Sequence, residues 1–372
     1  MNRLDILEKL IGFDTVSHRS NLALINFVEA LLKKAGFRTT RLPSPCGEKA
    51  GLYAEIGPEV AGGLLLSAHT DVVPVEGQDW SKPPFKLTSE GGKFFGRGTT
   101  DMKGFVACAL ALAIKTQNAS LKRPLALVLS YDEEIGCVGL QQIQSQLASL
   151  LKAPALCIVG EPTEMQIATG YKGKSAYKAI FHGEAGHSAL APRFQNALHL
   201  AADFITGLRA LQSEIAQDGP FDDGYDVPYT TLHVGTLSGG TALNIVPEMA
   251  EMKFEMRSLA AQDVKALYAR IEALATRGGA AQVDLSCTNS YPGLDVDATL
   301  PWVREIQNIA AQSPTKVAFG TEAGVLSDMG VPTLVCGPGS MAGQGHKADE
   351  SIEAEQLETC DAFLSRLLER FC

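Results

Sequence analysis

Pro124-Leu125-Ala126-Leu127-Val128-Leu129-Ser130-Tyr131-Asp132-Glu133-Glu134 is an unbroken apolar run that ends in a row of acids. A short continuous run of this kind reads as a strand buried on both faces. Gly139 to Leu151 follows with the spacing of a helix, and Ala155 to Val159 is a second buried run. Strand, helix and strand in that order predict an α/β fold, a mostly parallel sheet flanked by helices. Ligands of such sheets gather beyond the strand C-termini. The acids of the quoted stretch fall at that edge.

Working outward, Leu4 to Phe13 and Leu22 to Ala35 have helical periodicity, and Gly36 stops the second helix. Gly51–Ile56 and Leu64–Ser67 read as short strands, and Phe105 to Lys115 as an apolar helix of small residues. Lys316–Phe319 and Thr333–Cys336 read as late strands, and Glu355 to Arg370 as the final helix. The middle of the chain has another rhythm. Ser175 to Phe181 alternates, Asn196 to Leu211 is helical, Thr230 to Leu237 and Met249 to Arg257 pair as strands, Val264 to Ala275 is helical, and Val283 to Cys287 closes the set. That β-α-β-β-α-β order predicts a ferredoxin-like α+β domain. The expected organisation is a first domain over 1–173, an insertion over 174–286, and a return to the first domain over 287–372.

Composition narrows the function. A chain of 372 residues is long enough for two domains. Its formal net charge of −10 argues against a nucleic-acid partner. No run approaches a membrane span, and the N-terminal stretch carries charges through its apolar positions, unlike a signal peptide. Eight cysteines contain no Cys-x-x-Cys pair, and several lie in apolar runs, so reduced thiols in a cytoplasmic protein are expected.

Metal-type ligands recur at the strand ends. His69 and Asp71, in Ser67-Ala68-His69-Thr70-Asp71, are two apart, so both side chains can face one way. A metal-bound imidazole needs its second nitrogen held, and a carboxylate does that. Asp101, in Gly96-Arg97-Gly98-Thr99-Thr100-Asp101-Met102-Lys103-Gly104, suits either an N-cap on the following helix or a carboxylate bridging two cations. Glu133 and Glu134, adjacent on what reads as extended chain, should point apart, one to a metal and its neighbour to the substrate; alone they would also suit a solvated acidic turn. Glu161 follows the next strand, and His346 lies in Gly345-His346-Lys347-Ala348-Asp349-Glu350 after a late strand.

Jointly these strings resemble the dinuclear-zinc aminoacylase and carboxypeptidase family, over essentially the whole chain. The resemblance implies a zinc-exopeptidase-like domain holding two Zn2+ ions, with Co2+ or Mn2+ as substitutes. His69, Asp101 and Glu161 would hold one ion, and Asp101, Glu134 and His346 the other. Asp71 would orient His69, Glu133 would be the general base, and the bridging aspartate would precede a cis peptide. The resemblance further implies a homodimer through the inserted domain, with His187 of Gly183-Glu184-Ala185-Gly186-His187-Ser188-Ala189 reaching the partner's site to hydrogen-bond an oxyanion. Asn244 and Arg257 match positions where relatives bind substrate, and a guanidinium suits an α-carboxylate. From the residues alone, His187 is equally a loop histidine without a role, and Arg257 equally a surface residue.

The string Gly320-Thr321-Glu322-Ala323-Gly324 resembles the deacetylase branch, and charge complementarity would set Glu322 against a substrate ammonium. Glu322 also suits the N-terminus of a helix starting at Ala323. The expected substrate is a small N-acyl amino acid, with deacetylation the expected reaction and desuccinylation, or deacylation of another N-acyl amino acid, its nearest rival. A dipeptidase would use the same ligands, and a non-catalytic binding protein of the same fold would have no need of Glu133.

Overall fold

The computed structural model describes residues 1–276 and 282–372, and the chain divides into two compact units. The first comprises Met1–Gly170, Asp295–Val317 and Thr321–Cys372; the second comprises Tyr171–Leu294 and Ala318–Gly320.

Four neighbouring strands form the centre of the first unit, in the order Leu125–Ser130, Leu64–His69, Leu156–Pro162 and Thr333–Gly337, all parallel. Every residue in these strands is buried, which is why their sequences read as continuous apolar runs. The flanks depart from the parallel pattern. Arg38–Pro43 and Ala50–Ile56 form an antiparallel hairpin on one side, and Ile167–Tyr171 pairs antiparallel to Thr333–Gly337 on the other. The helix Lys103–Lys115 packs against Arg3–Ile11 and Ala354–Phe371. It is buried almost all round, so small residues suit it. The first helix is fixed by a capping box, with Asn2 Oδ1 accepting from Asp5 N and Asp5 Oδ2 accepting from Asn2 N. A separate small sheet joins Thr88–Glu90, Lys93–Phe95 and Ser351–Glu353.

The second unit has the β-α-β-β-α-β order. Its antiparallel sheet runs Thr231–Gly239, Met249–Ser258, Gly173–His182 and Val283–Tyr291. The chain-order positions of these strands are 2-3-1-4, the ferredoxin-like arrangement. Gly173–His182 alternates buried and half-buried residues, and the buried set, including Tyr177 and Phe181, packs with Phe204, Leu208 and Ile271 of the helices Ala197–Asp218 and Val264–Thr276. The last strand continues to Tyr291, beyond the sequence reading at Cys287. Among the described residues no helix is long and apolar enough to cross a membrane. None of the eight cysteines is paired; Cys46 and Cys287 are exposed, and five others are buried.

Candidate metal centre

The parallel strands deliver their ends to one place. His69 is the last residue of its strand and pairs in register with Ser130; Glu161 lies near the end of the adjacent strand. Thr333–Gly337, on the far side of Leu156–Pro162, leads through Met341–Gln344 to His346.

Asp101 sits between two imidazoles. Its Oδ1 lies 3.0 Å from His69 Nε2, and its Oδ2 lies 3.4 Å from His346 Nε2. His346 Nε2 is also 3.0 Å from Glu134 Oε2, and His69 Nε2 is 3.7 Å from Glu161 Oε1. Donor atoms of His69, Asp101 and Glu134 lie within 4.8 Å of one another, as do those of His69, Glu133 and Glu161. Asp101 is no N-cap: the helix starts at Lys103, behind Met102, and the Asp101–Met102 peptide is cis.

This donor set fits divalent cations. Six carboxylates belong to one enclosed neighbourhood: Asp71, Asp101, Glu133, Glu134, Glu161 and Glu322. Burial, reinforced by the neighbouring acids, pushes the carboxyls of Glu133 and Glu161 well above the usual range. Burial and Asp101 push Glu134 to about 7, even though His346 pulls it back. Conversely, the carboxylates Asp101, Asp71 and Glu161 hold the His69 imidazolium despite burial, and Asp101 with Glu134 raises His346 to about 10. Glu134 Oε1 and Glu161 Oε1 are buried without a hydrogen-bond donor. Unmet acceptors and crowded negative charge are what bound cations would relieve.

One local expectation is corrected. Glu133 and Glu134 do not end the strand, which stops at Ser130; they follow Asp132, whose φ of 57° opens a turn. The extended-chain argument therefore does not apply, and both carboxylates reach the same cluster. His69 Nδ1 lies 2.9 Å from the main-chain oxygen of Asp71 and 3.6 Å from its carboxylate Oδ1. The carboxylate also accepts from Ser17 Oγ at 2.7 Å and from the main-chain N–H of Glu133 and Glu134 at 3.1 and 3.2 Å.

Glu322 is 1% exposed; Ser130 Oγ donates to its Oε2 at 2.8 Å, while Oε1 is buried without a donor. Burial raises its carboxyl to about 7, with Ser130 opposing. In the second unit, exposed His187 accepts from Ala189 N through Nδ1, and Ser188 N donates to the main-chain oxygen of exposed Asn244. Arg257, near the end of Met249–Ser258, donates to Glu255 Oε1 and to the Tyr291 hydroxyl. Sequence reading missed Ser17, Ser130, Cys137, Arg97 and Glu350 as neighbours of these groups. Arg97 and Glu350 lie inside quoted strings, but their partners are distant in the chain.

Imidazoles and carboxylates clustered at the C-terminal edge of a parallel sheet define a metal-dependent hydrolase. The chain belongs to the peptidase family M20/M25/M40, which residues 65–370 match. It is 32% identical to the acetylornithine deacetylase of Myxococcus xanthus over 375 residues, covering 98% of this chain and 96% of that protein. With the acetylornithine deacetylase of Pasteurella multocida the identity is 31%, covering 99% and 98%. Among solved structures the fold is similar to that of the M20 family metallo-carboxypeptidase Sso-CP2 from Sulfolobus solfataricus, with a TM-score of 0.80, 18% identity and 99% coverage of each chain. Aminopeptidase PepT from Bacillus cereus gives 0.79 at 18% identity, covering 99% of this chain and 97% of that one.

Proposed function

We propose that this enzyme hydrolyses N2-acetyl-L-ornithine to L-ornithine and acetate, in the cytoplasm, on the route to arginine. The observation that carries the chemistry is Asp101, held between the imidazoles of His69 and His346. Full-length similarity to two acetylornithine deacetylases supports the choice of amide. His69, Asp101 and Glu161 would hold one Zn2+, and Asp101, Glu134 and His346 a second; the pair would supply Lewis acidity and an acidified water near neutral pH.

The remaining work falls to the chain's own groups. Glu133 takes the proton of the attacking water and returns one to the leaving amine. Asp71 holds the turn that carries Glu133 and Glu134. Arg257 pairs with the substrate α-carboxylate, Asn244 contributes a hydrogen bond, and His187 of one subunit of a homodimer donates to the oxyanion in the other. Glu322, with one oxygen lacking a donor, receives the side-chain ammonium.

Side-by-side turnover of acetylornithine, succinyl-diaminopimelate, acetylmethionine and a dipeptide, with metal analysis, tests the reading. Preference for acetylornithine with two bound zinc ions is expected. Faster desuccinylation or dipeptide cleavage would move the substrate assignment and leave the metal assignment standing.

A further inference from the structure

Arg97 and Glu350 form an ion pair whose side chains are each 1% exposed, with Nη1 donating to Oε2 at 2.8 Å. A pair so deeply buried is tolerable only when its other polar positions are largely satisfied, and of the two side chains only Arg97 Nε is buried without a partner. Glu350 Oε2 also accepts from Gly98 N at 2.9 Å, and Oε1 accepts from Thr100 N at 2.8 Å and Asp101 N at 3.0 Å. Arg97 Nη1 donates to the Lys347 carbonyl at 3.2 Å, and Nη2 donates to Gln78 Oε1 at 2.5 Å. Gln78 Nε2 then donates to the main-chain oxygen of His346 at 2.8 Å. The guanidinium lies 4.9 Å from the centre of the Trp80 ring.

One charge pair is thus bonded to the backbone of two separate loops. The first is Gly96–Asp101, which ends on the carboxylate between the imidazoles; the second runs from His346 to Glu350. The small sheet brings their outer ends together, with Phe95 paired to Ser351 and Gly96 N donating to the Glu350 carbonyl at 2.9 Å. Neither Asp101 nor His346 belongs to a strand or helix, and His346 has a φ of 61°. His69 and Glu161, in contrast, are held by strands of the main sheet. Glu350 is not itself a ligand, because its oxygens already accept from the Arg97 guanidinium and three main-chain N–H groups.

We propose that Arg97, Glu350 and Gln78 are positioning residues that hold the His346 loop against the Asp101 loop and so set affinity for the cation between Asp101, Glu134 and His346. The proposal rests on the reading of those side chains as ligands. The groups orienting metal ligands commonly govern affinity about 10–100-fold, and here the effect falls on one cation. His69 and Glu161 keep the first site in place when the clamp is weakened.

The test is Zn2+ binding by the full chain against a competing chromophoric chelator, in the parent, Glu350→Gln and Gln78→Ala. Glu55→Gln serves as a control: Glu55 is another buried carboxylate, paired with Arg38 and Lys152. In Glu350→Gln the first Zn2+ should bind as in the parent and the second about 10–100-fold more weakly. Gln78→Ala should shift the second ion in the same direction by less, with the ion pair intact. Glu55→Gln should leave both affinities alone. Unchanged binding in Glu350→Gln, or an equal loss at both sites, overturns the clamp. If Glu350→Gln does not fold, parental affinity for the second ion in Gln78→Ala overturns it instead. A parent that binds fewer than two ions overturns the dinuclear reading itself, and the clamp with it.

Discussion

His69 Nδ1 lies 2.9 Å from the main-chain oxygen of Asp71, while the nearest Asp71 carboxylate oxygen is 3.6 Å away. The main-chain oxygen is the nearer partner of the imidazole, and the carboxylate also accepts from the turn that carries Glu133 and Glu134. An amide at this position has one acceptor oxygen and turns an NH2 toward donors. Asp71→Asn should therefore lower kcat about 10–100-fold while the zinc bound through His69 remains. Loss of zinc as complete as in His69→Ala would instead make the carboxylate the group that orients the imidazole.

Glu133 invites a sharper division of roles. Its donor atoms fall within 4.8 Å of those of His69 and Glu161, and Cys137 Sγ donates to its Oε1 at 3.3 Å. As a general base it should contribute about 10²–10⁴-fold to turnover. Glu133→Gln should show that loss in kcat, with zinc content equal to the parent by elemental analysis. A lost zinc ion would move Glu133 from base to ligand.

The central strands were legible because burial on both faces writes itself as an apolar run, as in Leu64-Leu65-Leu66 and Leu125 to Leu129. The insertion was legible because Gly173–His182 alternates with period two between helices of period 3.6. The hairpin strand Arg38–Pro43 was not, since only Leu42 on it is buried. The strands of the small sheet have three residues each, too few to carry a period. The turn after Ser130 was hidden because Asp132 adopts a left-handed conformation that nothing nearby announces. His69 and Glu161 sit at strand ends and could be found locally. Glu350 could not, because its partners Gly98, Thr100 and Asp101 are about 250 positions away.

Burial, together with the crowding of acids, sets a pH dependence for the metal-free protein. Glu134 and Glu322 are raised from the ordinary glutamate value to about 7, and His346 to about 10. Each binds more protons folded than unfolded, so its stabilisation is present at low pH and lost as pH rises through the folded value. Lys103, lowered by burial to about 7, opposes them alone among these groups. The chelated protein should melt at higher temperature at pH 6 than at pH 8. With zinc bound, ligand protonation competes with the metal and the order should reverse. Parallel thermal melts with and without chelator read this directly, and identical pH trends would contradict it.

Gly160 precedes Glu161, and a Cβ there would lie 2.0 Å from the Phe105 ring. The helix that follows Asp101 thus packs onto the strand that carries Glu161 with no room for a methyl group. Overpacking of this kind costs about 1–3 kcal/mol. Gly160→Ala should lower the urea midpoint accordingly and weaken zinc binding. Parental stability would mean that Phe105 moves aside freely.

Glu322 offers the test of substrate choice. Ser130 satisfies one oxygen and leaves Oε1 enclosed without a donor, a position suited to an ammonium. Glu322→Gln removes the charge and keeps the volume, so the Ser130 contact can persist. KM should rise for acetylornithine and stay unchanged for acetylmethionine, which carries no side-chain amine. A uniform fall in kcat for both substrates would tie Glu322 to the catalytic carboxylates instead, because its charge also acts on Glu133. Unchanged kinetics for both would remove it from substrate recognition, and any preference for a cationic side chain would have to come from another group.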